Sequence, residues 1–201
     1  SGGEEKEKAG AKTFPGRVVR IGAAMDRAFC FYYKENLQLL ENMGCRLIPF
    51  SPLSDPALPE GLDGLILGGG YPELYARQLS ENRGMRDRIR EAVRSGMPCL
   101  AECGGFMYLH DEMEDREGNT YPMAGVIPGR AFAAGKLVRF GYINVTAADR
   151  QQEQSGSYLL PGETIRGHEF HYWDSTDSGH ACRAVKPDGR RSWDCIHMEG
   201  K

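Results

Sequence analysis

Among the six cysteines of the chain, Cys103 has the setting that suits nucleophilic chemistry. It lies within Leu100-Ala-Glu-Cys-Gly-Gly-Phe-Met107. Cys99 to Ala101 reads as a short buried strand, Gly104 and Gly105 permit a sharp turn, and Phe106 to Leu109 reads as the first turn of a helix. A strand that turns abruptly into a helix lifts one side chain out of the sheet, toward the crevice at the strands' carboxyl ends. At a helix start, unpaired N–H groups and the helix dipole are expected to lower a thiol's pKa, and the thiolate is the attacking species. Cys99, on the strand itself, fits the ordinary role of a small buried hydrophobe.

Two other groups of residues could complete a site. Gly68-Gly69-Gly70 closes an apolar strand, and glycines there let backbone approach a ligand closely. The Lys-Ser/Thr of a phosphate loop does not follow, and GxGxxG is absent, so a nucleotide is not the expected ligand. Backbone N–H groups of Gly69 or Gly70, together with that of Gly104, are instead candidate donors to an oxyanion. In Gly167-His-Glu-Phe-His171, strand periodicity turns His168 and Phe170 one way and Glu169 and His171 the other. Glu169 and His171 are thus a candidate base and its orienter; two ligands without a third make no metal site, and none is expected. Glu102 should point away from the thiol and is not taken as the base. His110 and His180 read as surface or helix-end residues, and His197 is undecided.

The elements needed to hold these groups alternate along the first half. Strands are expected at 17–24, 45–50, 62–67 and 99–101, with helices at 32–43 and 81–95; the second helix carries many Arg and Glu on its wet face. This alternation predicts a mostly parallel sheet covered by helices. After Gly118 the pattern changes to alternating, β-branched and aromatic runs at 136–145, 164–173, 180–185 and 192–198, expected to form antiparallel strands. Residues 1–16 are charged and aperiodic, a linker or tag remnant, leaving 17–201 as one domain.

Bulk properties narrow the function. The chain has 201 residues and a net charge of -3, which gives no reason to expect nucleic acid or an anionic membrane as partner. No apolar run approaches membrane-spanning length, no signal-peptide pattern opens the sequence, and no two cysteines form a CxxC pair. A reducing cytoplasm is the expected setting.

With these residues in place, the chain resembles the glutamine amidotransferase domain of the cobyrinic acid a,c-diamide synthase family, of cobalamin biosynthesis. Asp26-Arg-Ala-Phe-Cys-Phe-Tyr-Tyr33, Phe50-Ser-Pro-Leu-Ser-Asp55, Leu67-Gly-Gly-Gly-Tyr-Pro-Glu73, Ala101-Glu-Cys-Gly-Gly105, Tyr121-Pro-Met-Ala-Gly125 and Arg166-Gly-His-Glu-Phe-His171 carry the likeness. It runs from about Val18 to near the C-terminus. The sibling cobyric acid synthases share the Cys turn but usually show a different run in place of GHEFH.

The resemblance implies a class I glutamine amidotransferase-like (flavodoxin-like) three-layer α/β fold, with a mostly parallel central sheet and an antiparallel extension. It implies that Cys103 attacks the carboxamide of glutamine and releases ammonia through a glutamyl thioester. A separate N-terminal ATPase domain, using ATP and Mg²⁺, would phosphorylate the corrinoid substrate's a and c carboxylates, which ammonia then amidates. The present residues hold no P-loop, so no cofactor is expected in them. The family's catalytic histidine is expected in a strand end beyond Lys201, which leaves His168 and His171 as fingerprint positions rather than assigned bases. A homodimer is compatible with this picture. Two alternatives remain open on the sequence: a non-catalytic docking domain of the same fold, and a stand-alone cysteine glutaminase with His171 as base.

Overall fold

A computed structural model describes residues 17–147, 159–160 and 162–198. The segment read as a linker, 1–16, lies outside the described residues.

The first half builds a parallel sheet. Strands β1 (Val19–Ala24), β3 (Cys45–Phe50), β4 (Gly64–Leu67) and β6 (Cys99–Ala101) stand in the order β3-β1-β4-β6, every pair parallel. The doubly wound order follows from right-handed crossovers, which place successive strands beside their predecessors or across the first strand. Between β1 and β3 come a three-residue strand, β2 (Phe29–Phe31), and helix α1 (Lys34–Asn42). The expected helix at 32–43 is therefore shorter at its start. Phe29 and Phe31 pair instead with β5 (Gly69–Gly70), so the glycine run is a strand edge rather than a free turn.

A 3-10 turn (Pro72–Tyr75) leads into α2 (Ala76–Glu81) and α3 (Arg83–Arg94), where one helix was expected. Asn82 breaks the run and caps α3, its side-chain oxygen accepting the N–H of Met85 at 3.4 Å. Met85, Ile89 and Val93 recur on one face and are buried in the core. The arginine-rich face is less wet than its composition suggests. Arg86, Arg90 and Arg94 donate to the carbonyls of Met123, Ala124 and Gly125 at 3.0, 2.6 and 2.8 Å.

After β6 the chain forms α4 (Gly104–Leu109), then β7 (His110–Glu114), β8 (Thr120–Pro122) and β9 (Ile127–Ala133). β10 (Arg139–Ala147), β11 (Thr164–His171), β12 (Trp173–Ser175), β13 (Cys182–Val185) and β14 (Ser192–Cys195) follow. The antiparallel extension is present as the sheet β11-β10-β13-β14. The third sheet, β12-β9-β7-β8, was not foreseen, and its β7–β9 pair is parallel. Short strands with mixed polar and charged residues, such as His110-Asp-Glu-Met-Glu114, carry too little periodicity to be read from sequence.

Two apolar clusters result. The larger joins the parallel sheet, α2 to α4 and β7 to β9; the smaller lies under the antiparallel sheet, around Ile143, Val145, Cys182 and Ala184. Among the described residues no helix is long and apolar enough to cross a membrane.

Candidate active site

Cys103 takes φ 52° and ψ -111°, a conformation that L-residues rarely adopt. A non-glycine residue held there stores strain of about 1–3 kcal/mol, which persists only where the surroundings over-determine it. Here they do. β6 is paired to β4 immediately before, and Glu102 N–H donates to Leu67 O at 3.0 Å. Immediately after, Gly105 N–H donates to Gly68 O at 2.9 Å. Gly105 has no room for a side chain: a Cβ would fall 2.0 Å from the Leu67 carbonyl oxygen. Both glycines after the cysteine belong to α4, so the abrupt turn falls on Cys103 itself rather than on Gly104 and Gly105.

The far end of α4 is tied down as firmly. Ala124, Val126 and Gly125 donate N–H groups to the carbonyls of Tyr108, Leu109 and His110 at 3.0, 2.8 and 2.8 Å. That same 123–125 segment is the one gripped by Arg86, Arg90 and Arg94. Backbone carbonyls left over at a helix end are thus satisfied by a turn that a second helix holds in place.

The glycine run meets Cys103. A Cβ on Gly69 would lie 3.6 Å from Cys103 Sγ, and one on Gly104 would lie 3.3 Å from the nitrogen of Gly70. A Cβ on Gly70 would fall 2.1 Å from Ala28 O, so no side chain fits there either. The N–H groups of Gly104 and Gly70 both favour the Cys103 thiolate over the thiol. Gly69, Gly70 and Gly104, the glycines read from the sequence as candidate oxyanion donors, thus lie together beside the thiol.

The electrostatics differ from expectation. Burial pushes the Cys103 thiol up from its ordinary value, and the N–H groups of Gly104 and Gly70 pull it back only in part. The carboxylates of Glu73 and Glu102 raise it further. The residue as a whole is exposed; the desolvation comes from its protein-facing side, packed on Gly69 and the start of α4, while the outer side stays open to a ligand. A six-residue helix start does not outweigh those terms. Glu73 is buried beside Arg116, whose guanidinium lies 3.4 Å from it. Phe31 and Tyr71, both exposed, meet edge to face at 5.0 Å beside the glycines.

Sequence reasoning missed three supporting residues. Tyr32 Oη donates to Ala24 O at 2.5 Å and accepts the Gly68 N–H at 2.9 Å. Asp26 Oδ1 accepts the N–H groups of Ala28 and Phe29 at 2.8 and 3.2 Å, while Oδ2 accepts from Ser51 Oγ and Leu53 N at 2.8 and 3.0 Å. Asp two residues before a small residue is a local turn signal that could have been read. The third is His110, expected at the surface or at a helix end. It does end α4, but it is 0 % exposed.

Glu169 and His171 lie on β11, in a different sheet from the one that carries Cys103. They face the same way, as alternation predicts, with His171 Nε2 3.8 Å from Glu169 Oε1. Arg139 stands 3.9 Å from Glu169. Burial lowers the His171 pKa, and Arg139 lowers it further; burial raises that of Glu169. His168 packs on the opposite face, edge to face with Phe140 and Tyr142. His197 Nε2 lies 3.0 Å from Asp177 Oδ2, just past β14 rather than on it.

A strained cysteine at a strand-to-helix turn, under a glycine strand edge, is the arrangement to compare with known proteins. A profile of the CobB/CobQ-like glutamine amidotransferase domain matches residues 20–200. The chain belongs to that family. It is 47% identical over 183 residues to a cobyrinate a,c-diamide synthase of Caldanaerobacter subterraneus, covering 89% of this chain and 39% of the relative. With a protein of the same name from Salmonella typhimurium it shares 44% identity over 178 residues, covering 87% of this chain and 37% of the relative. The chain therefore spans less than half the length of these relatives. PurLQS from Thermotoga maritima shows a similar fold, with a TM-score of 0.52 at 15% identity, covering 90% of this chain and 88% of that one. The amidotransferase resemblance read from the sequence motifs and the α/β architecture are both as expected.

Proposed function

We propose that this chain is the glutaminase part of an ATP-dependent cobyrinate a,c-diamide synthase, with Cys103 as nucleophile. The observation that carries the reading is a strained cysteine at a strand-to-helix turn, with the Gly69–Gly70 strand edge packed against its side chain and against Gly104.

In this mechanism the Cys103 thiolate adds to the carboxamide carbon of glutamine. The C–S bond forms as the carbonyl π electrons move to oxygen, and the Gly70 and Gly104 N–H groups stabilise that oxyanion. Collapse breaks the C–N bond, and a proton converts the leaving amide nitrogen to ammonia. Water then hydrolyses the glutamyl thioester, returning the thiol and glutamate. Gly69 leaves the approach to sulfur clear of any side chain. The raised thiol pKa means that a base must take the proton as glutamine binds. Neither Glu169 nor His171 is assigned that role, since they partner each other and Arg139.

ATP and Mg²⁺ are assigned to a separate ATPase domain, which activates the corrinoid carboxylates that ammonia then amidates. The glycine run of this chain does not fit a nucleotide: it pairs with β2, packs on Cys103 and has no following lysine. No step here runs through ATP.

The test is covalent labelling with a chloroketone analogue of glutamine, followed by peptide mass spectrometry. Modification should map to Cys103 and be slowed by free glutamine. Cys103→Ser should abolish it, and His171→Ala should leave it unchanged. Labelling that spreads over several cysteines without glutamine protection would overturn the reading. Loss of labelling in His171→Ala would transfer the base to that residue.

A further inference from the structure

We propose that Tyr32 is a positioning residue for the oxyanion cradle, holding the Gly68–Gly70 run against Cys103 through its hydroxyl. The inference rests on the reading of Cys103 as nucleophile and names the side chain that sets the cradle's geometry.

Gly68 is gripped on both sides. Its N–H donates to Tyr32 Oη at 2.9 Å, and its carbonyl accepts the Gly105 N–H at 2.9 Å. Tyr32 Oη in turn donates to Ala24 O at 2.5 Å, with Ile66 O at 3.4 Å. The hydroxyl therefore bridges the carboxyl ends of β1 and β4, the two adjacent strands from which the crevice opens. The phenol ring packs under the same peptide: a Cβ on Gly68 would fall 2.6 Å from a ring carbon. Two residues later the run brings Gly70 up to Gly104 beside the Cys103 thiol, whose thiolate the Gly70 N–H favours.

The chemistry of the hydroxyl suits this task. As a neutral phenol it donates one hydrogen bond and accepts another, and the site uses both. Burial pushes its pKa up to about 12, so the donor stays protonated through the pH range of glutamine chemistry. Phenylalanine keeps the ring's packing and removes both bonds. The Gly68 N–H and Ala24 C=O then lose their partner, and the loop is free to relax away from the sulfur. The thiol keeps supports that do not pass through Gly68, because β6 is paired with β4, Glu102 N–H donates to Leu67 O, and the 124–126 N–H groups hold the end of α4.

This separation sets the experiment. Two rates are measured on the 201-residue chain and on Tyr32→Phe. One is inactivation by the chloroketone glutamine analogue, whose carbonyl oxygen uses the cradle before sulfur displaces chloride. The other is the limiting high-pH rate of Cys103 alkylation by iodoacetamide, where the thiol is fully ionised and any change in its pKa drops out. Tyr32→Phe should slow the first by roughly tenfold to a hundredfold, in line with a misplaced oxyanion donor, and change the second less than about twofold. A variant that only loosens the fold would move both rates together, and that result overturns the proposal. So do equal chloroketone rates in the two proteins. If Tyr32→Phe fails to fold, Gly68→Ala decides, because its new methyl collides with the Tyr32 ring from the other side and should give the same selective loss. If the unmodified chain is not labelled at Cys103 at all, the nucleophile assignment fails first and this inference with it. Labelled parent with unaffected variants removes only the role of Tyr32.

Discussion

The Gly105 N–H donates to the Gly68 carbonyl at 2.9 Å, joining the first turn of the helix after Cys103 to the end of the strand that leads into the glycine edge. That close approach leaves no room for a side chain at residue 105. Gly105→Ala would put a Cβ 2.0 Å from Leu67 O, a backbone atom that cannot step aside. The expected cost is at least about 1–3 kcal/mol of overpacking, with loss of Cys103 labelling. Chemical denaturation of the variant measures it; parental stability would contradict the tight contact.

The strain at Cys103 predicts a stability–function trade. At φ 52° glycine is comfortable and alanine is not. Cys103→Gly should therefore be more stable than Cys103→Ala by about 1 kcal/mol, after allowing for glycine's larger unfolded-state entropy. For a domain of this size that is a Tm difference of about 2–4 °C. Both variants lose the sulfur and with it the proposed thioester. Calorimetry of the pair isolates the backbone term, and an alanine variant at least as stable as the glycine one would rule it out.

The direction of the Cys103 pKa sets a pH profile. Iodoacetamide alkylation should rise with pH to a midpoint above the ordinary thiol value of 9.0. Removing the buried carboxylate in Glu73→Gln takes away a repulsive charge and should move the midpoint down. The linkage runs the same way. A thiol held protonated in the folded state contributes its full stability at neutral pH, and loses it only as pH climbs past the unfolded thiol value. A profile centred below that of a free thiol would mean that the helix start outweighs burial after all.

His110 predicts acid sensitivity. Its Nδ1–H donates to Phe106 O at 2.9 Å, since a carbonyl can only accept. Nε2 is then an acceptor, 2.6 Å from Ser175 Oγ, whose one hydroxyl proton it shares with the Asp177 carbonyl at 2.7 Å, while the same oxygen takes the Asp177 N–H at 2.9 Å. Burial lowers the His110 pKa; hydrogen bonds to the Phe106 and Asp177 backbone oppose it, and His197 adds to it. Because the folded value lies below the unfolded value of 6.5, the unfolded chain binds the proton first. Stability from this group is complete above that pH and falls as pH drops through it. Ser175→Ala leaves a buried ring nitrogen unpartnered and should cost about 1–3 kcal/mol, read by urea unfolding at neutral pH. An unchanged midpoint would show that the pair does not anchor α4.

Much of the site could be read along the chain because its signals are local. Cys103 followed by two glycines, and a glycine run at the end of an apolar strand, are features of neighbouring residues. The strand at Gly64–Leu67 was visible for a similar reason, since a strand buried on both faces is apolar throughout. The steric reason for glycine at 70 and 105 is not local, since the excluding atoms are the carbonyl oxygens of Ala28 and Leu67.

What the tertiary structure decided are the long-range pairings. Tyr32 belongs to a stretch that reads as the start of a helix, and its role exists only because Gly68, 36 residues on, is brought to its hydroxyl. Arg86, Arg90 and Arg94 look like a solvated face until the 123–125 carbonyls are laid against them. His110 is polar and ends a helix, yet Ser175, 65 residues away, makes its burial tolerable by giving the ring nitrogen a partner. The thiol pKa could not be read from Cys103's neighbours either, since the burial and the Glu73 carboxylate that raise it come from other elements. Local sequence determines which conformations the backbone can take and which chemistry each residue carries. Desolvation and hydrogen-bond partnership depend on groups distant in the chain, so only the folded arrangement sets them.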